Sequence, residues 1–215
     1  GTWTIDKAIE MAKTISQDLN QDGKITYEDM VGWEGQLDDC WNMFYSSGSR
    51  IASFDADGKL ALTLYTERSA RVAEKIMSLV QDDAHYISAN DYFNVVQWPT
   101  ELCMENFAAG NALFFSDSLG CLINFQKMKG NYGLLPVPKL DEEQDNYESF
   151  INPWVSSALC IPSTLSMEDA EFAGAVLECM GYYSMDTVRK EYYDEVLNYQ
   201  YVQDDACLLY TSPSP

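Results

Sequence analysis

A short apolar run that ends in small polar residues lies in the middle of the sequence. Residues 112–115 read Ala-Leu-Phe-Phe, and short apolar runs between polar segments are typical of buried strands. Ser116, Asp117 and Ser118 follow directly, and residues of this kind commonly begin a helix. Open α/β sheets bind ligands where strands end and helices begin. This succession therefore predicts an α/β fold with polar ligand-binding groups at the carboxyl edge of its sheet.

The chain then turns and continues without a helical pattern. Residues 130–133 read Gly-Asn-Tyr-Gly, and residues 134–138 read Leu-Leu-Pro-Val-Pro. Since a residue before proline is pushed out of the helical region, the second segment is predicted to be extended. With 215 residues, and about 150 residues as a soft prior for one domain, the chain is expected to form one to two domains.

Periodic apolar residues predict the remaining elements. Spacings of three and four predict helices that begin near Thr4, Thr66 and Ser166, and a further helix that begins at Ser184. Alternating leucines and an Asp-Ala-Asp-Gly turn predict a β-hairpin over residues 51–66. Another strand is predicted over residues 151–161.

Composition excludes several classes of function. The formal charge of −21, from 34 acidic and 13 basic residues, repels phosphate backbones, so nucleic-acid binding is not expected. The single histidine, His85, has no nucleophile motif near it, and the sequence contains no glycine-rich phosphate loop. Paired carboxylates of the glycoside-hydrolase kind arise by chance among so many acidic residues. We therefore expect a binding protein and not an enzyme.

The order of the segments resembles one family, the extracellular solute-binding proteins of carbohydrate ABC importers. The family pattern is Phe-x-x-Gly-x-Ala and a polar residue, then a helix, then a Tyr-Gly strand that ends in x-Pro-x-Pro. Residues 107–117 and 132–138 match it. Residues 152–162 resemble the next strand of the family, and residues 170–183 resemble its following helix. The resemblance covers residues 3–201, and the order of the segments carries it.

The resemblance implies a periplasmic-binding-protein-like fold of type II, in which two α/β lobes joined by hinge strands close on a ligand. Residues 1–130 would form most of one lobe, and residues 131–206 a hinge strand and part of the second lobe, so the fold is incomplete within this sequence. The implied function is capture of a sugar or oligosaccharide outside a bacterial cell and delivery to ABC permease subunits. A monomeric cell-surface lipoprotein is expected, with its signal and lipid anchor outside this sequence. A glycoside hydrolase and a calcium-binding cell-surface module are the alternatives.

A sugar site needs aromatic faces that stack on pyranose rings and planar polar groups that bridge hydroxyls. Asp117 and Ser116 follow the apolar strand. Trp33 lies between two glycines, which predicts a loop with an exposed ring. The resemblance places Asn152 and Trp154 just beyond the hinge, across the cleft from Asp117. These five residues are the predicted ligand-binding residues. The structural alternatives are a helix cap for Asp117, core packing for Trp154 and surface packing for Trp33.

An acidic turn near the start matches the pattern of a calcium loop. Residues 18–29 follow Asp-x-[Asp/Asn]-x-[Asp/Asn]-Gly, except that an aspartate stands at the last ligand position, where glutamate is usual. Calcium is the one cofactor that the sequence predicts, and the alternative is a solvated acidic turn that ends the first helix. The predicted ligands are Asp18, Asn20, Asp22, the Lys24 carbonyl and Asp29.

The last residues are unlike the rest of the chain. Residues 207–215 read Cys-Leu-Leu-Tyr-Thr-Ser-Pro-Ser-Pro and resemble the translated read-through of a sequencing adapter. We expect this segment to be an artefact outside the fold. A Ser/Pro-rich linker is the alternative.

Overall fold

The computed structural model describes residues 3–152 and 156–201. The chain divides into two compact units. Unit 1 comprises Gly1–Asn131 and Leu135–Asn152, and unit 2 comprises Tyr132–Leu134 and Pro153–Pro215. The tail at residues 207–215 and the predicted ligand-binding residue Trp154 lie outside the described residues.

Unit 1 alternates helices and strands along the chain. Its helices are α1 (Ile5–Ala12), α2 (Asp39–Ser46), α3 (Glu67–Val80) and α4 (Thr100–Ala108), with 3₁₀ turns at Ala89–Tyr92 and Leu119–Phe125. Its strands are β1 (Val31–Gly35), β2 (Ala52–Phe54), β3 (Leu60–Leu62), β4 (Tyr86–Ser88) and β5 (Ala112–Phe115).

A parallel sheet in the order β4-β1-β5 organises unit 1. In this sheet Trp33 of β1 lies opposite Tyr86 on one side and Phe114 on the other. Parallel strands need crossover connections, and helices supply them here. The arrangement confirms the predicted α/β class. It also brings the carboxyl ends of all three strands to one edge.

The two faces of the sheet differ in what they bury. Trp33 packs in an apolar cluster with residues of three helices, for example Ala8 of α1, Met43 of α2 and Val72 of α3. A smaller cluster contains Ile87 of β4 and Cys103 of α4. Burial of these apolar side chains is the main favourable contribution to the folding of unit 1.

Several predicted boundaries are confirmed by capping geometry. Thr4 accepts a hydrogen bond from the Lys7 backbone N–H at the start of α1, and Thr66 accepts one from Ser69 at the start of α3. The predicted hairpin is confirmed as the antiparallel pair β2–β3, whose turn places Gly58 at φ 75°. The helix predicted after Ser118 is a 3₁₀ turn, Leu119–Phe125.

In unit 2, helix α5 (Met167–Asp186) begins as predicted, with the Ser166 hydroxyl accepting from the Asp169 N–H. It runs through Ser184, so the predicted helix start at that residue is wrong. The short helix α6 (Val188–Lys190) and a π-helix (Glu191–Tyr201) follow. In the predicted strand over residues 151–161, the described residues form no strand. Within the described residues no helix combines the length and apolarity needed to cross a membrane.

Candidate functional site

Three connections meet at the carboxyl edge of the parallel sheet in unit 1. Beyond β1, the Leu37 N–H donates to Asn90 Oδ1 at 2.9 Å, which ties the β1 connection to the one that follows β4. The Ser116 N–H, just beyond β5, donates to the Glu34 carbonyl of β1 at 3.0 Å. Three separate segments of the chain therefore form this edge, and hydrogen bonds connect them.

Gly35 ends β1 at the centre of this edge and leaves room for a carboxylate. A Cβ at Gly35 would lie 2.6 Å from Asp39 Oδ2 and 3.3 Å from Ser116 Cβ. The residue opposite Gly35 on β4 is Ser88. Ser88, Gly35 and Ser116 thus form a row across the sheet, with the carboxylate of Asp39, from the first turn of α2, above its middle.

Asp39 has little to compensate its charge. Burial raises the pKa of Asp39 to about 7, against the lowering effect of a hydrogen bond from the Gln36 N–H, and the nearby charges of Asp117 and Asp38 raise it further. None of the ion pairs among the described residues includes any of these three aspartates. The edge is electronegative, and its central carboxyl titrates near neutral pH.

The two predicted residues that follow β5 lie at this edge. The Ser116 hydroxyl accepts a hydrogen bond from Trp33 Nε1 at 2.7 Å. Asp117 is exposed, and its Oδ1 accepts from the N–H of its neighbour Ser118 at 2.5 Å. That contact uses one oxygen, and among the described residues no hydrogen bond or ion pair engages Oδ2 of Asp117. The Asp117 carboxylate can therefore accept from a ligand.

The prediction that Trp33 lies in a loop with an exposed ring is wrong. Trp33 is in the central strand β1, and its side chain is 5% exposed. The neighbouring glycines have another cause, because a Cβ at Gly32 would clash with the backbone of Ala12 in α1, and one at Gly35 would clash with Asp39. The Trp33 ring packs against Phe114 and holds the hydroxyl of Ser116.

The half-buried Asn152 donates from Nδ2 to Oδ2 of Asp38, the neighbour of Asp39 in the sequence, at 3.4 Å. Sequence reasoning missed Asp39, Ser88 and Trp41. Trp41 is 48% exposed and stands two residues beyond Asp39 in α2, with an edge contact to Phe44. One signal could have found Asp39 and Trp41: a pair of aspartates and a tryptophan begin a helix just after a glycine that ends a strand.

A second buried carboxyl lies on the opposite face of β1. Glu34 is fully buried; its Oε1 accepts from Asn106 Nδ2 at 2.7 Å, and its Oε2 has no hydrogen-bond partner among the described residues. Burial raises the pKa of Glu34 to about 8, although the hydrogen bond from Asn106 acts in the opposite direction.

The acidic turn at residues 18–29 uses its side chains internally. Asp18 accepts from the N–H groups of Gln21 and Gly23, Asn20 accepts from Asp22, and Asp22 accepts from Lys24. These bonds shape an Asx-type turn. Its side chains at Asn20 and Asp22 remain exposed, and Asp18 is half-buried.

The last predicted ligand of this turn, Asp29, is fully buried. It accepts from the Leu19 N–H, the Thr26 N–H and the Thr26 hydroxyl at 2.9, 2.9 and 3.0 Å. Burial raises the pKa of Asp29, but these hydrogen bonds outweigh it and hold the pKa below its usual value. The described residues contain no group of three or more His, Cys, Asp or Glu side chains that could hold a metal ion. The buried Asp29 does not fit a calcium site as arranged, and calcium stays a prediction.

Comparison with protein families, with curated sequences and with solved structures finds no match to this chain.

Proposed function

We propose that this chain is a solute-binding protein that captures a sugar or oligosaccharide outside the cell. The observation that carries the proposal is the meeting of Asp39, Ser116 and Asp117 at the carboxyl end of a parallel sheet, with the exposed Trp41 in the same helix as Asp39. Open α/β sheets bind ligands at this edge. The residues come from two separate connections, which suits a ligand that presents several hydroxyls at once.

The chemistry of these side chains suits a sugar. An exposed indole can stack on the C–H face of a pyranose ring. Carboxylate and hydroxyl oxygens can accept hydrogen bonds from adjacent sugar hydroxyls, and each charge-assisted bond contributes about 1.5–3 kcal/mol. Trp33 contributes indirectly in this proposal, because its Nε1 fixes the hydroxyl of Ser116.

The biological setting is proposed from the resemblance of residues 107–117 and 132–138 to the carbohydrate-importer family. It comprises a two-lobed fold that closes by hinge bending, a bacterial cell-surface lipoprotein, a monomeric state and delivery of the sugar to ABC permease subunits. The parallel sheet with ligand-type residues at its carboxyl edge agrees with one lobe of such a protein.

Titration calorimetry against a panel of mono- and oligosaccharides tests the proposal. At least one sugar is expected to bind, and Trp41→Ala and Asp117→Asn are each expected to weaken that binding at least about tenfold. The matched controls are Tyr65→Ala, which removes an 86% exposed aromatic ring, and Asp57→Asn in the hairpin turn. Neither control should change the affinity. Failure of every sugar to bind, or equal losses in the controls, would overturn the proposal.

One observation favours a glycoside hydrolase as the second candidate. A carboxyl whose pKa is about 7 beside a second aspartate resembles the acid and base pair of such enzymes. Assaying the same oligosaccharides for released reducing ends separates the two functions. Hydrolysis that Asp39→Asn abolishes would establish the enzyme, and binding without hydrolysis supports the transporter subunit.

A further inference from the structure

One polar group at the sheet edge has no hydrogen-bond partner among the described residues. Ser88 is 7% exposed, and its hydroxyl makes no hydrogen bond to that part of the chain. The residue precedes the 3₁₀ turn Ala89–Tyr92, yet its side chain does not cap that turn. Buried hydroxyls in native proteins are nearly always hydrogen-bonded, so an orphan of this kind calls for a group that the chain itself does not provide.

The register of the sheet places the Ser88 side chain on the face of the sheet where the Asp39 carboxylate lies. Ser88 lies opposite Gly35, and Tyr86, two residues earlier on β4, packs on the same face as Trp33. Adjacent strands lie about 4.8 Å apart, and paired residues point to the same face. Since Asp39 Oδ2 lies above Gly35, Ser88 and Asp39 border the same volume on this face of the sheet.

The charges around this volume have one sign. The titratable groups that act on Asp39 or feel its charge are acids or weak acids from α2, β4, α4 and the segment beyond β5. They are Asp38, Cys40, Tyr86, Cys103, Asp117 and Cys121. The described ion pairs bring no Lys, Arg or His to Asp38, Asp39 or Asp117. A buried carboxylate that lacks a cation in its own protein is suited to a ligand that brings one.

We propose that the ligand of this site is an amino sugar, whose ammonium group donates hydrogen bonds to the Asp39 carboxylate and the Ser88 hydroxyl. The inference rests on the proposed sugar-binding function and specifies the class of sugar. An ammonium group has three N–H donors, enough for one hydrogen bond to the Asp39 carboxylate, one to the Ser88 hydroxyl and one to a third acceptor. Uronic acids and phosphorylated sugars are excluded by the same argument, because they would add negative charge beside three aspartates.

Titration calorimetry with three matched probes tests this proposal: a hexosamine, its N-acetyl derivative and the corresponding hexose. At about pH 7.5 the hexosamine is expected to bind at least about tenfold more tightly than either neutral sugar. Asp39 has a pKa of about 7 and takes up a proton on acidification. The amine of a hexosamine titrates only slightly above neutral pH, so the comparison uses the affinity per protonated amine. That hexosamine preference is expected to fall severalfold between about pH 7.5 and about pH 5.5.

Two variants test whether the Asp39 carboxylate and the Ser88 hydroxyl cause the preference for the hexosamine. Asp39→Asn keeps an acceptor for the Gln36 N–H and is expected to reduce the ratio of hexosamine to hexose affinity to about one. Ser88→Ala removes only the orphan hydroxyl and is expected to reduce hexosamine affinity about threefold to tenfold. Asp57→Asn removes the same charge from the exposed hairpin turn and should leave the ratio unchanged. Melting temperatures confirm that each variant is folded.

The outcomes separate this inference from the proposed function. Sugar binding with equal affinity for hexosamine and hexose overturns the amino-sugar inference and leaves sugar binding intact. A hexosamine preference that Asp39→Asn does not reduce overturns the assignment to this carboxyl. Failure of all three probes and of the wider sugar panel overturns both proposals.

Discussion

Two acidic regions of unit 1 differ in how many hydrogen bonds their carboxylates receive. In the turn at residues 18–29, backbone N–H groups converge on the aspartates, and Asp29 alone receives three hydrogen bonds. At the parallel sheet, Asp39 receives one backbone N–H and Glu34 one side-chain amide. Both regions contain buried or half-buried carboxyls, so burial alone does not separate them.

The supply of local donors explains the difference in ionisation. Burial penalises the charged form in both regions, but the donors around Asp29 outweigh that penalty and its pKa is lowered. Asp39 and Glu34 lack enough donors, so burial prevails and their pKa values rise to about 7 and about 8. A carboxylate is thus available to a ligand when the fold supplies it with few hydrogen-bond donors. The density of acidic residues in the surrounding sequence does not decide this.

The largest expected effect is the loss of stability in Asp29→Ala. The substitution leaves the Leu19 and Thr26 donors, which now share one buried carboxylate, without an acceptor. We expect the free energy of unfolding to fall by about 4 kcal/mol, measured by urea denaturation at neutral pH. Asp22→Ala is the control in the same turn, where an exposed carboxylate accepts from Lys24 alone, and it should cost less than about 1 kcal/mol. Equal costs would mean that Asp29 does not organise the turn.

A smaller effect is expected from Glu34, through the pH dependence of stability. Its pKa is about 8 in the folded protein, well above the usual value, so the folded state keeps a proton that the unfolded chain releases. Stability is therefore lost as pH rises from the unfolded pKa toward about 8. Since one pKa unit corresponds to about 1.4 kcal/mol, we expect a loss on the order of 3 kcal/mol between about pH 5 and about pH 8.

Glu34→Gln should remove this contribution, because the amide keeps an acceptor for Asn106 but does not titrate. The contribution of Asp39, whose pKa is also raised, should remain. Urea denaturation at both pH values gives the comparison. Glu74→Gln, an exposed substitution of the same kind on α3, should leave the dependence unchanged. A Glu34→Gln protein that loses as much stability as the parent over this range would show that Glu34 is ionised at low cost. The contrast between the two acidic regions would then fail.

The sequence was sufficient for elements that local chemistry determines. The caps at Thr4, Thr66 and Ser166 and the Asp-Gly hairpin turn depend on residues a few positions apart, so their patterns can be recognised in one dimension. The strand that precedes Ser116 was also recognisable, because a short apolar run followed by polar residues is typical of a buried strand.

The remainder depends on contacts between segments distant in sequence. Gly32 and Gly35 look like loop residues in the sequence. In the fold, the backbone of α1 approaches Gly32 and the Asp39 carboxylate approaches Gly35, so both glycines belong to a strand whose Trp33 is buried. Ser88 and Asp39 are 49 positions apart and become neighbours only through the pairing of β1 with β4. The orphan hydroxyl of Ser88 is invisible without that pairing.

Calcium gives the smallest expected effect and the most direct test of whether internal donors exclude a ligand. Asn20 and Asp22 are exposed and Asp18 is half-buried, and all three keep free lone pairs, whereas Asp29 would have to give up donors to bind an ion. We therefore expect affinity at the weak end of the range for such loops, with a dissociation constant of about 1 mM. At about 10 mM calcium, mass action then stabilises the protein by about 1.4 kcal/mol, measured by urea denaturation. Asp22→Asn should lose this gain, and Asp57→Asn, in a similar aspartate turn that lacks the later ligands, should retain it. No gain in the parent protein would show that backbone donors have already taken the place of the ion.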